Sequence, residues 1–217
     1  MQITFVSAKA QETLKSLLYS ETATASSIFL IAGDNQAKID YADELAGKTR
    51  VFEEITLLSK KESAVVLYSA LTNTQGHLRR SVAVADNGSL LGVSDMTYSD
   101  EKHISAGAHL RVYESRHGKL GVLVAGDLYF PNRAQALVDC GAEYLLCLSP
   151  SFEMVDSAII RAYGKCFSLP VLYCADGVSM LADEKGELAF SSPLSPISFE
   201  MEAKREYKLV HMRKRKG

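Results

Sequence analysis

No cysteine occurs in the first 139 residues of this 217-residue chain. That absence excludes a thiol nucleophile anywhere before Cys140. The four cysteines, Cys140, Cys147, Cys166 and Cys174, form no Cys-x-x-Cys pair and have no histidine at a ligand-like spacing. A zinc site wants tighter, paired spacing, so no metal is expected, and buried reduced thiols of a cytoplasmic protein are the plain reading. An excess of one charge is also missing. Lys and Arg number 24 against 26 Asp and Glu, a formal net charge of -2, which leaves no global electrostatic case for nucleic acid or a membrane surface. Long apolar runs are absent too, since stretches such as Ile28-Phe29-Leu30-Ile31-Ala32 are far too short to span a bilayer. The start, Met1-Gln2-Ile3-Thr4-Phe5-Val6, lacks a basic region and an apolar core and is not expected to act as a signal peptide. No Gly-x-Ser-x-Gly elbow occurs, which weakens a serine hydrolase reading. No cofactor is expected.

What is present is ordinary globular composition, 47% hydrophobic and 23% charged. Strand-like segments fall at residues 2–7, 27–32, 65–71, 81–85, 89–93, 110–113, 120–124, 144–148, 171–175 and 178–182. Helical apolar spacing falls at 11–20, 36–46, 51–59, 132–139 and 155–166. Asp86-Asn87-Gly88 predicts a tight hairpin turn, because Asn-Gly tolerates positive φ. Gly141 predicts a helix end, and Asp183-Glu184-Lys185-Gly186 a second hairpin. No repeat, linker or composition break divides the chain, so a single domain over 1–217 is expected. The one charge run, Arg213-Lys214-Arg215-Lys216, reads as a solvated end.

The stretch Leu120-Gly121-Val122-Leu123-Val124-Ala125-Gly126-Asp127-Leu128-Tyr129-Phe130-Pro131 is the most informative. It reads as a buried strand that breaks at Gly126 and enters a helix after Pro131. It resembles the nucleophile segment of the nitrilase, or carbon–nitrogen hydrolase, superfamily, in which a strand is followed by Cys-Tyr-Asp-Leu-Arg-Phe-Pro-Glu. Asp127, Leu128, Phe130 and Pro131 keep their places, and the family's cysteine falls on Ala125. The resemblance continues in order. Ser81–Gly92 is similar to the family hairpin. Gly141-Ala142 and Leu148-Ser149-Pro150-Ser151 follow a helix and a strand as they do there. Arg161-Ala162 and then Leu172-Tyr173-Cys174-Ala175-Asp176-Gly177 close the series. The fold it implies is a four-layer αββα sandwich.

The family's catalytic set is a glutamate base, a lysine and the cysteine that forms the thioester. Carried over, the three positions fall on Gly33, Met96 and Ala125, with Asp34 beside the first. A further acidic position falls on Glu101, within Asp100-Glu101-Lys102-His103-Ile104-Ser105-Ala106-Gly107. The candidate pocket is therefore Asp34, Glu101, Ala125, Asp127 and Cys174, with no catalytic residue assigned. Asp127 has a structural reading, a carboxylate that accepts backbone N–H bonds from its own turn. Cys174, near the presumed pocket, is the better of the displaced nucleophile candidates, although a working thiol needs a lowered pKa. The resemblance implies a protein inactive in the family's sense, with a small-molecule pocket kept. The alternative is a divergent amidohydrolase with a rearranged site. It also implies a homodimer, paired through the helix at 155–166, whose Val155, Ala158, Ile159, Ile160 and Ala162 exceed one core-facing stripe.

Overall fold

The computed structural model describes residues 1–7, 10–20, 26–32 and 38–201. Its central strands follow from continuous apolar runs that leave both faces buried. β1 (Gln2–Ser7), β2 (Ile28–Ala32) and β4 (Val65–Thr74) run parallel. β5 (His77–Asp86) and β6 (Ser89–Asp95) add antiparallel through tight turns. β13 (Ile197–Glu200) pairs antiparallel with β1, and β3 (Lys38–Asp40) lies on the far end of β4. The result is a seven-stranded sheet.

A six-stranded sheet runs in the order β12, β11, β10, β9, β8, β7. Its centre is the parallel trio β8 (Gly118–Val124), β9 (Tyr144–Leu148) and β10 (Val171–Ala175). β7 (Val112–Ser115), β11 (Val178–Ala182) and β12 (Leu188–Ser192) flank it antiparallel.

The period of two splits each strand between two cores. Ile28, Leu30, Val65, Leu67, Leu120, Val122, Leu146, Leu172 and Cys174 meet between the sheets. Phe29, Ile31, Val66 and Tyr68 face outward onto α1 (Ala10–Tyr19) and α3 (Val51–Lys61), through Leu14, Ile55 and Leu58. Leu123, Leu145, Val171 and Tyr173 face outward onto α4 (Pro131–Asp139) and α5 (Met154–Phe167), through Leu137, Ile160 and Tyr163. This is the four-layer αββα sandwich. Among the described residues no helix is long and apolar enough to cross a membrane.

The hairpin expected at Asp86-Asn87-Gly88 is present between β5 and β6. Asn87 and Gly88 take φ values of 47° and 86°, which suit the hairpin between β5 and β6. Residues 36–46 are a correction. Lys38–Asp40 is a strand, and only Tyr41–Leu45 forms a helix, α2, which Asp40 caps by accepting from the Ala42 and Asp43 N–H groups. β4 outruns β2 by several residues, and its free edge pairs with β3 through Leu71–Asn73. The strand placed at 110–113 lies instead at Val112–Ser115. Residues 36 and 37 lie outside the described set.

Candidate functional site

β8 ends at Val124, and Ala125 turns the chain sharply with φ at 47°. A 3-10 turn, Ala125–Tyr129, follows, and Pro131 then opens α4, where its missing N–H costs nothing. Three polar anchors hold this elbow. The Asp127 carboxylate accepts from the Thr97 N–H at 2.9 and 3.0 Å and from the Thr97 hydroxyl at 2.8 Å. The Tyr129 hydroxyl donates to Asp156 at 2.8 Å, and the Tyr163 hydroxyl donates to the Leu128 carbonyl at 2.7 Å. Asp156, itself buried, also accepts from the Tyr173 hydroxyl and the Glu153 N–H.

Beside the elbow is a cavity of about 400 Å³. Ala125, Gly126, Tyr129 and Phe130 form one wall. Met96, Tyr98, Asp100 and Glu101 arrive on the segment leaving β6, and Arg80 projects from β5. Ser149, Pro150, Ser151 and Glu153 close it from the segment between β9 and α5. The segment after β6 is set by backbone bonds, Met96 N–H to the Arg80 carbonyl and Gly107 N–H to the Met96 carbonyl. Arg80 donates side-on to Glu101 through Nε at 2.7 Å and Nη2 at 2.8 Å. That bond holds the Glu101 carboxyl below the usual carboxylate range.

The structure brings Met96, Glu101 and Ala125 to one cavity. Gly33 and Asp34 lie outside the described residues, as does Arg213-Lys214-Arg215-Lys216. Two placements are corrected. Cys174 is fully buried between the sheets, facing the Val6 and Leu30 carbonyls, because its strand period sends it to the same side as Leu172. Burial pushes its thiol up to about 12, the opposite of activation. Asp127 does not line the cavity. It sits behind the wall and is bonded to Thr97 across the elbow rather than to its own turn. Burial pushes its carboxyl above the ordinary range, against the Thr97 hydrogen bonds.

Sequence reasoning missed Arg80. Its signal was a pair of adjacent cations in a strand, Arg79 and Arg80, whose side chains point to opposite faces; Arg79 bonds Asp95 at 3.1 Å while Arg80 reaches the cavity. The tyrosine anchors, Tyr129 and Tyr163, were missed as well, because their partners Asp156 and the Leu128 carbonyl lie 27 and 35 residues away in the chain. Among the described residues no group of His, Cys, Asp or Glu is placed to hold a metal ion.

No family model matches the chain. A Schizosaccharomyces pombe protein named as a probable nitrilase is 26% identical over 140 residues, 58% of this chain. The chain spans about half the length of that curated relative, 51%. Among solved structures, Saccharomyces cerevisiae Nit3, of branch 10 of the nitrilase superfamily, superposes with a TM-score of 0.74 at 14% identity, covering 91% of this chain and 88% of that one. A carbon–nitrogen hydrolase from Helicobacter pylori G27 gives 0.71 at 16%, with 91% and 87% covered. The Nesterenkonia sp. AN1 amidase is similar in two informative forms. One mutant carries acrylamide added to its active-site cysteine, with a TM-score of 0.74, 14% identity and 94% of each chain covered. A double mutant, glutamate to glutamine and cysteine to alanine, is in complex with acrylamide, with a TM-score of 0.72, 14% identity, and 91% and 88% covered. These likenesses show the nitrilase fold.

Proposed function

We propose that this chain is a nitrilase-superfamily protein that does not hydrolyse carbon–nitrogen bonds by a thiol and that uses its cavity to hold a small molecule reversibly. The observation that carries this reading is Ala125. It occupies the elbow at the end of β8, in the left-handed conformation, with its methyl group in the cavity wall. A methyl group has no lone pair with which to attack a carbonyl or nitrile carbon. Met96 supplies no charge where the family resemblance places a lysine. The Nesterenkonia double mutant supports the binding half, since a site of this fold with alanine in place of a cysteine is found in complex with an amide.

The alternative, a divergent amidohydrolase with a displaced nucleophile, draws less support. Its best thiol, Cys174, is buried away from the cavity with a raised pKa. The homodimer belongs to the same reading. α5 buries Asp156, Ile160, Tyr163 and Gly164 and leaves Val155, Ala158 and Ala162 exposed, a stripe that a second copy would cover.

Intact-mass measurement tests the reading. Incubation with acrylamide should give adducts only on the exposed Cys140 and Cys166, located by peptide mapping. An adduct on Cys174 of the native protein, formed faster than on the surface thiols, would overturn the reading in favour of the displaced nucleophile.

A further inference from the structure

The cavity beside Ala125 holds more negative charge than its own walls neutralise. Four charged side chains line it, Arg80, Asp100, Glu101 and Glu153. Arg80 and Glu101 cancel in their side-on pair. Among the described residues no ion pair involves Asp100 or Glu153. Two carboxylates therefore face the cavity without a cation among the described residues.

An incoming anion meets further obstacles. The start of α5 borders the cavity, and a helix start ordinarily favours negative charge. Here that preference is already met from within the chain. The Asp156 N–H is taken by the Glu153 carbonyl, and the Asp156 carboxylate accepts the Glu153 N–H at 2.9 Å. The remaining wall suits a cation. Tyr98 packs on Phe130 with ring centroids 4.6 Å apart, and both line the cavity with Tyr129. These rings can stack on the aromatic or apolar body of a ligand and leave its charge to the carboxylates. The Ser149 and Ser151 hydroxyls can accept hydrogen bonds from an ammonium group.

We infer that the cavity binds a small organic cation, a protonated primary amine on an aromatic or apolar body, with its ammonium group drawn to Asp100 and Glu153 and its body against Tyr98, Tyr129 and Phe130. This rests on the reading of the cavity as a non-hydrolytic ligand site and names the class of ligand that site selects. An amide, the neutral counterpart, would leave both carboxylates unpaired.

Three probes of one shape separate the charge states: benzylammonium, benzamide and benzoate. Calorimetric titration of the full chain should give benzylammonium the tightest binding, by about tenfold over benzamide. Benzoate should show no saturable binding. The double variant Asp100→Asn, Glu153→Gln should abolish the preference for the amine, and it leaves the Asp156 carboxylate on the Glu153 N–H at the start of the helix. Benzamide or benzoate binding as tightly as benzylammonium would overturn the inference, as would a preference that survives the double variant. The two readings fail differently. If benzamide binds without any preference for the amine and protects the thiol introduced by Ala125→Cys from iodoacetamide, the ligand class falls and the binding cavity stands. If none of the three binds and that thiol is not alkylated in the native protein, both fall.

Discussion

Asp127 shows how much of the elbow depends on one side chain. It is fully buried, and both its oxygens face Thr97. Asp127→Ala leaves two Thr97 donors without an acceptor and should cost about 2–3 kcal/mol in urea unfolding, against about 1 kcal/mol for Thr97→Val. The effect carries a pH signature. Burial raises this carboxyl in the folded protein, so the folded state holds the proton more tightly than the unfolded chain. Its contribution is fully present below the unfolded value, about 4, and is lost as pH rises through the higher folded value. The cost of Asp127→Asn should therefore be larger at about pH 4 than at about pH 7, and a cost that grows towards neutral pH would contradict this. The cysteines give a second test at this scale. Cys140 and Cys166 are exposed, whereas Cys147 and Cys174 are buried with raised pKa values. A chromogenic thiol reagent at neutral pH should titrate the exposed pair in the native protein and all four thiols in denaturant. Rapid native reaction of Cys174 would contradict its placement.

Among the elements, α5 has the most to explain. Its inner stripe packs on the six-stranded sheet, and Gly164 lets it approach the turn between β11 and β12. A Cβ at Gly164 would lie 2.3 Å from the Asp183 carbonyl oxygen. Gly164→Ala should destabilise by about 1–3 kcal/mol, seen in thermal unfolding, although alanine normally favours a helix. The outer stripe belongs to the proposed dimer. Sedimentation equilibrium at micromolar concentration should give twice the chain mass, and Ala158→Arg with Ala162→Arg should halve it. A monomer, or a dimer indifferent to both changes, would remove the proposal. The central strands were legible because they are short, continuous apolar runs, and β5 with β6 because Asn87-Gly88 marks their turn. β12 and β13 were not. They are edge strands with mostly exposed side chains, Leu188 among them, and carry little apolar pattern. β3 was masked by the helical spacing around Ile39, and it forms only because β4 extends past β2.

At the scale of the whole molecule, chain order carried most of the fold and part of the site. The ordered set from the β5–β6 hairpin to Asp176-Gly177 pointed to the sandwich, and Met96, Glu101 and Ala125 do share one cavity. Arg80 was out of reach, because its partner Glu101 lies 21 residues later, joined to it only when the segment after β6 folds back over β5. The misplacement of Cys174 has a like cause. Nearness of a strand end to a site says nothing of the face on which a side chain emerges, and the alternation of β10 turns this one into the core. Restoring the thiol by Ala125→Cys should not by itself restore hydrolysis. Met96 provides no cation beside it, and a thiol near its unperturbed pKa is mostly protonated at neutral pH.

The proposed loss of thiol-dependent hydrolysis from a nitrilase fold is open to direct measurement. The direct measurement is ammonia release by the purified protein from a panel of simple carboxamides, nitriles and carbamoyl compounds. The rate should equal that of buffer alone. Turnover above the blank that Cys174→Ala or Asp34→Ala abolishes would contradict it.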